Sequence, residues 1–423
     1  MLSLLARILP VREAAIPAPS PGYMLIEKNE DLRRFAEQLA RESVIAVDME
    51  ADSMYHFRER VCLLQVATPR FNALIDPLCA TDIQVLAPVF ANPRIQTIFH
   101  GADYDIRSLH RDFGIRVENL FDTQIAVRFL GFRETGLEAV LNREFNIQLD
   151  KRFQKKDWSQ RPLPPEMLQY ASRDAIYLIP LTRILEKRLK ELKRLDWVRE
   201  ECRNLSEVRY PDTAHEPLFL RFKGAGRFSP RELALLEEIL KARMKIARQK
   251  DRPPFKIFSN DTVIRIITRR PSTVQQVREA GILSHKQNGM YARHIAEAVQ
   301  AGLAVAPEEL PRYPHKKSRR TAPQVPDRVN ALKKWRNEEA DRLSIDPALI
   351  CNKTLITAIA RRNPGSASEL TAIEELRGWQ AEIFGDSILR ILEDLPPSGP
   401  APKKRRRRRP GGNSRPHPGP SPG

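Results

Sequence analysis

Residues Val44 to Glu50 read VIAVDME, and the fold turns on how this stretch is read. An apolar run leads into Asp48, Met49 and Glu50, the pattern of a buried strand that ends in charge. Strand side chains alternate faces, so Asp48 and Glu50 point one way and Met49 the other. Taken alone, such an Asp-x-Glu could be a charged strand end in solvent. Immediately upstream, EDLRRFAEQLARE (Glu30 to Glu42) reads as an amphipathic helix. Downstream, VCLLQVAT and NALIDP read as strands joined by a turn at Pro69 to Phe71. DIQVLAPVFAN reads as a helix, QTIFHG as a strand, and DYDIRSLHRDF as a helix ended by Gly114. NLFDTQIAVRFLG and ETGLEAVLNREF turn helical in their later parts. The loop DKRFQKKDWSQRPL then leads into a long helix beginning near Pro165. Strands that are first neighbours and then alternate with helices predict a mixed sheet flanked by helices.

The rest of the chain is different. PDTAHEP (Pro211 to Pro217) breaks it, and beyond this only helical periodicity is found. A second break, rich in proline and base, runs from about 304 to 326 and includes RYPHKKSRR. The helical stretches on either side align as an internal repeat of about 70–80 residues. Shared landmarks are an acid-rich first helix, a proline turn, a cap at Asn-Asp-Thr or Asn-Lys-Thr, and a paired-arginine helix end. The expected organisation is a leader or disordered segment over 1–22 and a mixed α/β domain over 23–210. Helical domains over 218–306 and 325–394 follow, with a disordered basic tail over 396–423.

Charge follows this division. The 423 residues carry 71 basic and 53 acidic side chains, a net of +18. Residues 24–217 are close to neutral at about −2, whereas 218–423 hold about +19. That asymmetry suggests an active module followed by one that binds a polyanion. Four dispersed cysteines, with no CxxC and no clustered histidines, argue against a disulfide framework and a structural zinc site. No apolar run approaches the ~20 residues of a membrane helix. MLSLLARILPVREAA lacks the parts of a signal peptide. It reads as a frayed leader, or as an upstream start with Met24 nearer the true beginning.

Further acids sit at spacings that carry chemistry. In HGADYDIRSL a strand ends at His100 and a helix carries Asp103 and Asp105, either of which could cap it. In EMLQYASRDAIYLIPL, the helical stripe of Met167, Tyr170, Ala171, Asp174 and Leu178 is apolar but for one acid. A single buried carboxylate would call for an arginine partner. Four converging acids are another matter, because two carboxylates 4 Å apart repel by ~4 kcal/mol even at an effective dielectric near 20. Such a cluster is tolerable when it holds cations, and oxygen ligands favour Mg²⁺ or Mn²⁺. The chemistry that follows is two-metal phosphodiester hydrolysis.

Asp48-x-Glu50, His100-x4-Asp105 and Tyr170-x3-Asp174, in this order, resemble the motifs of the DEDD exonuclease family, tyrosine subgroup. KRFQKKDWSQRPLPPEMLQYASRDAIYLIPL resembles ribonuclease D in particular. The helical repeats resemble its C-terminal HRDC modules, found also in RecQ-type helicases. The resemblance spans about residues 23–394 and departs at Met49, where the family often has threonine; that side chain is expected to face away from the metals.

It implies an α/β RNase H-like exonuclease domain followed by two small all-α HRDC-type domains. It also selects Asp105 over Asp103 as the site acid. Asp48, Glu50 and Asp174 would hold a first divalent ion, Mg²⁺ or Mn²⁺. Asp48 would bridge to a second, with Asp105 contributing there through water, and Tyr170 would orient the attacking water. Asp122 and Asp76 are expected to be caps or turn formers. The implied protein is a monomeric, cytoplasmic 3′→5′ exoribonuclease that trims RNA ends, especially tRNA precursors, and has no membrane partner. A DNA exonuclease shares these carboxylates, and a non-catalytic RNA-binding protein could keep the fold. The first helical domain is basic at about +10 and the second about −2. Arg269, Arg270, Lys286 and Arg293 are therefore the candidate RNA contacts. The KKRRRRR run (Lys403 to Arg409) could be a nuclear localisation signal, and is read instead as an arm for RNA backbone.

Overall fold

The computed structural model describes residues 22–213, 215–314 and 324–395. The leader before Gly22 and the basic tail from Pro396 lie outside the described residues. The chain forms two compact bodies. One holds the sheet, its helices and the first helical module together with Ala340–Leu349, and the other holds the rest of the second module.

The first body opens with β1 (Met24–Ile26), α1 (Asn29–Leu39), β2 (Val44–Ala51), β3 (Val61–Ala67) and β4 (Asn72–Ile75). A 3₁₀ turn at Ile83–Leu86 leads into α2 (Ala87–Phe90), β5 (Gln96–Phe99) and α3 (Asp103–Phe113). Then come β6 (Leu120–Asp122), α4 (Thr123–Phe129), α5 (Leu137–Phe145), α6 (Pro165–Ala171), α7 (Leu178–Glu191) and α8 (Leu195–Ser206). The strands form one sheet in the order β1-β4-β3-β2-β5-β6. β2 lies inside it, antiparallel to β3 and parallel to β5. The mixed sheet flanked by helices is thus the expected one. α1 shows why these helices pack: Leu32, Phe35, Ala36 and Leu39 recur at helical spacing and are all buried.

Prolines account for two departures from the expected elements. The helix predicted over DIQVLAPVFAN is a 3₁₀ turn followed by the single turn of α2, because Pro88 cannot donate to the carbonyl four residues back. The long helix predicted from Pro165 stops at Ala171 and resumes at Leu178. Pro180 has no N–H to offer Ile176 and its ring crowds that carbonyl, so Pro180 can stand only in the first turn of a new helix. Between the two helices the chain tightens. Arg173 N bonds Tyr170 O (3.1 Å), Asp174 N bonds Ala171 O (3.3 Å) and Leu178 N bonds Ala175 O (3.1 Å), all three residues apart.

The first helical module comprises α9 (Pro230–Gln249), α10 (Pro254–Ile257), α11 (Asn260–Arg269), α12 (Val274–Glu279) and α13 (His285–Ala304). α9 and α13 touch through Gly302, where a Cβ would stand 2.7 Å from the Leu235 Cα. The second comprises α14 (Val325–Leu343), α15 (Pro347–Ile350), α16 (Lys353–Arg362), α17 (Ala367–Thr371) and α18 (Gly378–Glu393).

The repeat is visible in matching bonds. Gln287 Nε2 donates to Ile257 O at 3.1 Å, as Gln380 Nε2 does to Ile350 O at 3.0 Å. Arg269 Nη1 donates to Ala280 O at 3.0 Å, as Arg362 Nη1 does to Ala372 O at 2.6 Å. α11 and α16 both end on a left-handed residue, Arg270 and Asn363. The caps differ by one position from the sequence alignment. Asn352 caps α16, but Ser259 rather than Asn260 caps α11, its hydroxyl accepting from Thr262 N. Serine and asparagine cap about equally well, so either could have served.

Candidate active site

β2 delivers the first two acids. Asp48 and Glu50 share a face of the strand, and the register with β3 shifts between Glu50 and Ala51. The skipped residue is Cys62 of β3, and such an irregularity increases the local twist of the pair just past the acids. The third acid comes from the tightened segment after α6. Carboxylate oxygens of Asp48, Glu50 and Asp174 lie within 4.8 Å of one another. Asp105, on the first turn of α3, is not one of these three; it is buried close enough to Asp48 and Glu50 to be felt as charge.

α3 is aimed by its own entry. Gly101 takes a φ of 78°, and the buried Asp122 carboxylate accepts from Gly101 N (3.0 Å) and Ala102 N (2.7 Å). The same carboxylate caps α4 by accepting from Gln124 N (2.7 Å). Asp122 is therefore the expected cap, and it serves two helices. Asp103 pairs with Arg107 at 2.9 Å on the surface. Asp76 accepts from Leu78 N and binds Arg161, whose Nη2 lies 2.7 Å from Oδ1. Burial pushes the Asp76 carboxyl up, but Arg161 more than offsets this and holds it below the ordinary range. Arg161 also donates to the carbonyls of Trp158 and Cys62, both at 2.8 Å, which fastens the 150–163 loop to the sheet.

That loop closes over Tyr170. The Tyr170 ring lies between Phe153 (5.6 Å) and Trp158 (6.0 Å). Asp48, Glu50, His100, Lys151, Gln154, Tyr170 and Asp174 border a cavity of about 500 Å³. Met49 is buried yet also borders this cavity, so it does not stand wholly apart from the acids as expected. Lys151 and Gln154 were not singled out in the sequence; their loop gave no periodicity to assign them a face.

The electrostatics are those of uncompensated negative charge. Burial raises the Asp48 carboxyl from 3.8 to about 6, partly opposed by the Met49 amide and by the nearby Gln65 side chain. Burial and then the Asp48 charge raise Asp174 to about 8. Glu50 and Asp105 are also pushed well up by burial and by their neighbours' charges. None of these acids has a lysine or arginine among the groups that set its titration. Among the described residues, Asp174 has no arginine partner that would make it a structural ion pair. A set of all-oxygen donors with excess negative charge fits a hard divalent cation. The Tyr170 hydroxyl is held well above its usual range by burial and the adjacent carboxylates, so it stays protonated.

The candidate RNA contacts lie in the first helical module. Arg269 and Arg270 border a second groove of about 610 Å³, shared with Gln276 and Glu279. Arg269 is tied to Ala280 O, and Arg270 lies 3.9 Å from Glu232. Lys286 and Arg293 are exposed on α13, seven residues apart and so on one face, with Arg293 paired to Glu297 at 2.8 Å. Lys286 and Arg293 are not among the residues that border this groove.

The catalytic domain is fastened to this module by the turn that leaves β2. His56 Nδ1 lies 2.7 Å from Asp251 Oδ2, and Phe57 N donates to Asp251 Oδ1 at 3.1 Å. His56 Nε2 meets Ser159 Oγ at 2.7 Å, and Lys256 stands 4.4 Å from the Tyr55 ring centre.

Among the described residues no helix is long and apolar enough to cross a membrane. Residues 23–190 match a 3′-5′ exonuclease family profile, and residues 232–299 and 326–392 each match the HRDC domain. A ribonuclease D of Bartonella henselae is 30% identical over 87% of this chain and 90% of its own length. The crystal structure of the catalytic core of RRP6 from Trypanosoma brucei is 28% identical. It covers 69% of this chain and 82% of its own, with a TM-score of 0.60. Escherichia coli RNase D, 22% identical, shares the fold over 89% of this chain and 100% of its own at a TM-score of 0.67. A relative matched along nearly its whole length, with the exonuclease and both helical domains in the same order, leaves one assignment: the chain belongs to the ribonuclease D family and is a 3′→5′ exoribonuclease.

Proposed function

We propose that this enzyme trims the 3′ ends of stable RNAs, tRNA precursors above all, by metal-assisted hydrolysis that releases nucleoside 5′-monophosphates. The observation that carries this reading is the Asp48–Glu50–Asp174 cluster, three carboxylates within 4.8 Å and without a cationic partner. Asp48, Glu50 and Asp174 would hold one divalent ion, and Asp48 with Asp105 a second, Mg²⁺ or Mn²⁺ in each case. Bound divalent ions lower the pKa of water and offset charge building on the phosphate. Tyr170, kept protonated by its surroundings, orients the attacking water by hydrogen bond rather than taking its proton. The water oxygen joins phosphorus and the shortened strand departs on its 3′ oxygen. The cavity walls provided by Lys151 and Gln154 face the terminal nucleotide. The enzyme is proposed to act as a monomer in the cytoplasm.

RNA is favoured over DNA because the likeness to ribonuclease D runs through both HRDC domains. With a labelled tRNA precursor and a DNA strand of matched length, the RNA is expected to shorten faster. Faster loss of the DNA would sink the RNA assignment.

The helical modules divide the labour. The first carries about +10 and the second about −2, and each Lys or Arg contact to phosphate steepens salt dependence. The first is proposed to grip RNA through Arg269, Arg270, Lys286 and Arg293, and the second to act as a spacer or wall. Replacing Arg269, Arg270, Lys286 and Arg293 with glutamine in the full chain should flatten the dependence of RNA affinity on salt. If deleting the second module flattens it more, the division is the reverse.

A further inference from the structure

β3 is apolar and buried along its whole length except at one position. Val61, Cys62, Leu63, Leu64, Val66 and Ala67 are core residues, and Gln65 is buried as completely as they are. An amide there is costly unless it is hydrogen-bonded. Yet neither Oε1 nor Nε2 of Gln65 has a hydrogen bond of ordinary geometry among the described residues. On the other neighbouring strand its partner is Leu74, which offers no polar side chain.

The register supplies the reason. Gln65 stands directly across from Asp48 in the antiparallel β2–β3 pair, and Leu63 stands across from Glu50. Residues so paired have Cβ atoms about 4.5–5.5 Å apart and point to the same side of the sheet. The face of β3 beside the catalytic acids therefore presents Leu63, Gln65 and Ala67, and Gln65 is the only polar group on it. The amide thus stands beside the Asp48 side chain without a hydrogen bond of ordinary geometry to it.

We propose that Gln65 is a positioning residue for Asp48, its amide N–H donating to the carboxylate from within the sheet and fixing the orientation in which Asp48 meets divalent ions. This rests on the metal-holding role proposed for Asp48. Outer partners of this kind typically change metal affinity by 10–100-fold when removed.

The test is a calorimetric titration of the full chain with Mn²⁺, beside a thermal melt in chelator and steady-state kinetics on RNA. Gln65→Met keeps the length and removes the amide. It is expected to melt no lower than the wild type without metal, to bind Mn²⁺ about tenfold more weakly, and to lose kcat with KM for RNA unchanged. Gln65→Asn, which withdraws the amide by one methylene, should weaken Mn²⁺ binding by a smaller factor. Unchanged Mn²⁺ affinity in both variants overturns the role of Gln65 alone. Weaker binding that accompanies a lower metal-free melting temperature in both assigns the residue to the fold and overturns it too. A wild-type chain that binds no Mn²⁺ overturns this role together with the metal-holding assignment.

Discussion

Asp48→Ala is expected to abolish RNA hydrolysis, by about three orders of magnitude or more, while the metal-free protein melts at a higher temperature than the wild type. The loss follows from position: Asp48 is the acid whose charge bears on every other member of the cluster, raising Glu50, Asp105 and Asp174 alike. The gain follows from the same charges. Burial lifts Asp48 to about 6, and burial with the Asp48 charge lifts Asp174 to about 8. Over the window from about pH 4 to about pH 8 the folded chain therefore binds more protons than the unfolded one. The unfolded state has already released them, so stability of the metal-free enzyme falls as pH rises through that window. Removing Asp48 takes away one shifted acid and eases three others, and the fall should flatten. Melting curves in chelator at pH 5 and pH 8, with hydrolysis measured on the same preparation, check both halves. Activity retained in excess Mg²⁺ would remove Asp48 from the site, and an unaltered pH dependence of melting would remove it from the charge cluster.

Tyr170→Phe should lower kcat by about a hundredfold or more, with the affinity for RNA nearly unchanged. The ring is held by Phe153 and Trp158, contacts that phenylalanine keeps, so only the hydroxyl is lost. That hydroxyl sits beside Asp174 and Glu50, where an attacking water would be steered. Binding and single-turnover rates measured separately decide the matter; equal losses in both would make Tyr170 a substrate contact.

How much of this could be read from the chain alone depends on which distances local periodicity controls. The period of two along VIAVDME fixes the shared face of Asp48 and Glu50, and the order of the three motifs points to Asp105, Tyr170 and Asp174. The closeness of Tyr170 to Asp174 was expected from an unbroken helix, whereas the helix breaks ahead of Pro180 and three-residue hydrogen bonds keep the two side chains together. Gln65 stayed hidden because periodicity gives its face but not its register; only strand pairing sets it opposite Asp48. Ser259 was passed over because Asn260, one residue later, looks an equally good cap. Asp251 and His56, 195 residues apart, meet through tertiary packing that no local pattern encodes.

Asp251 ties the catalytic strand to a helical module that supplies none of the proposed metal ligands. The turn it holds begins just beyond the bulge that follows Glu50, so loosening α9 at its end also slackens the exit of β2. Heat would not peel the first helical module away as an independent bead, because its loss strips His56 and Phe57 of an acceptor and uncovers the Phe57 ring, which packs against the module's core. The two are one cooperative piece of protein in this respect. A nuclease domain cut free at 211–217 would be an incomplete folding unit, and a chimera that borrows another helical module would have to bring its own equivalent of Asp251.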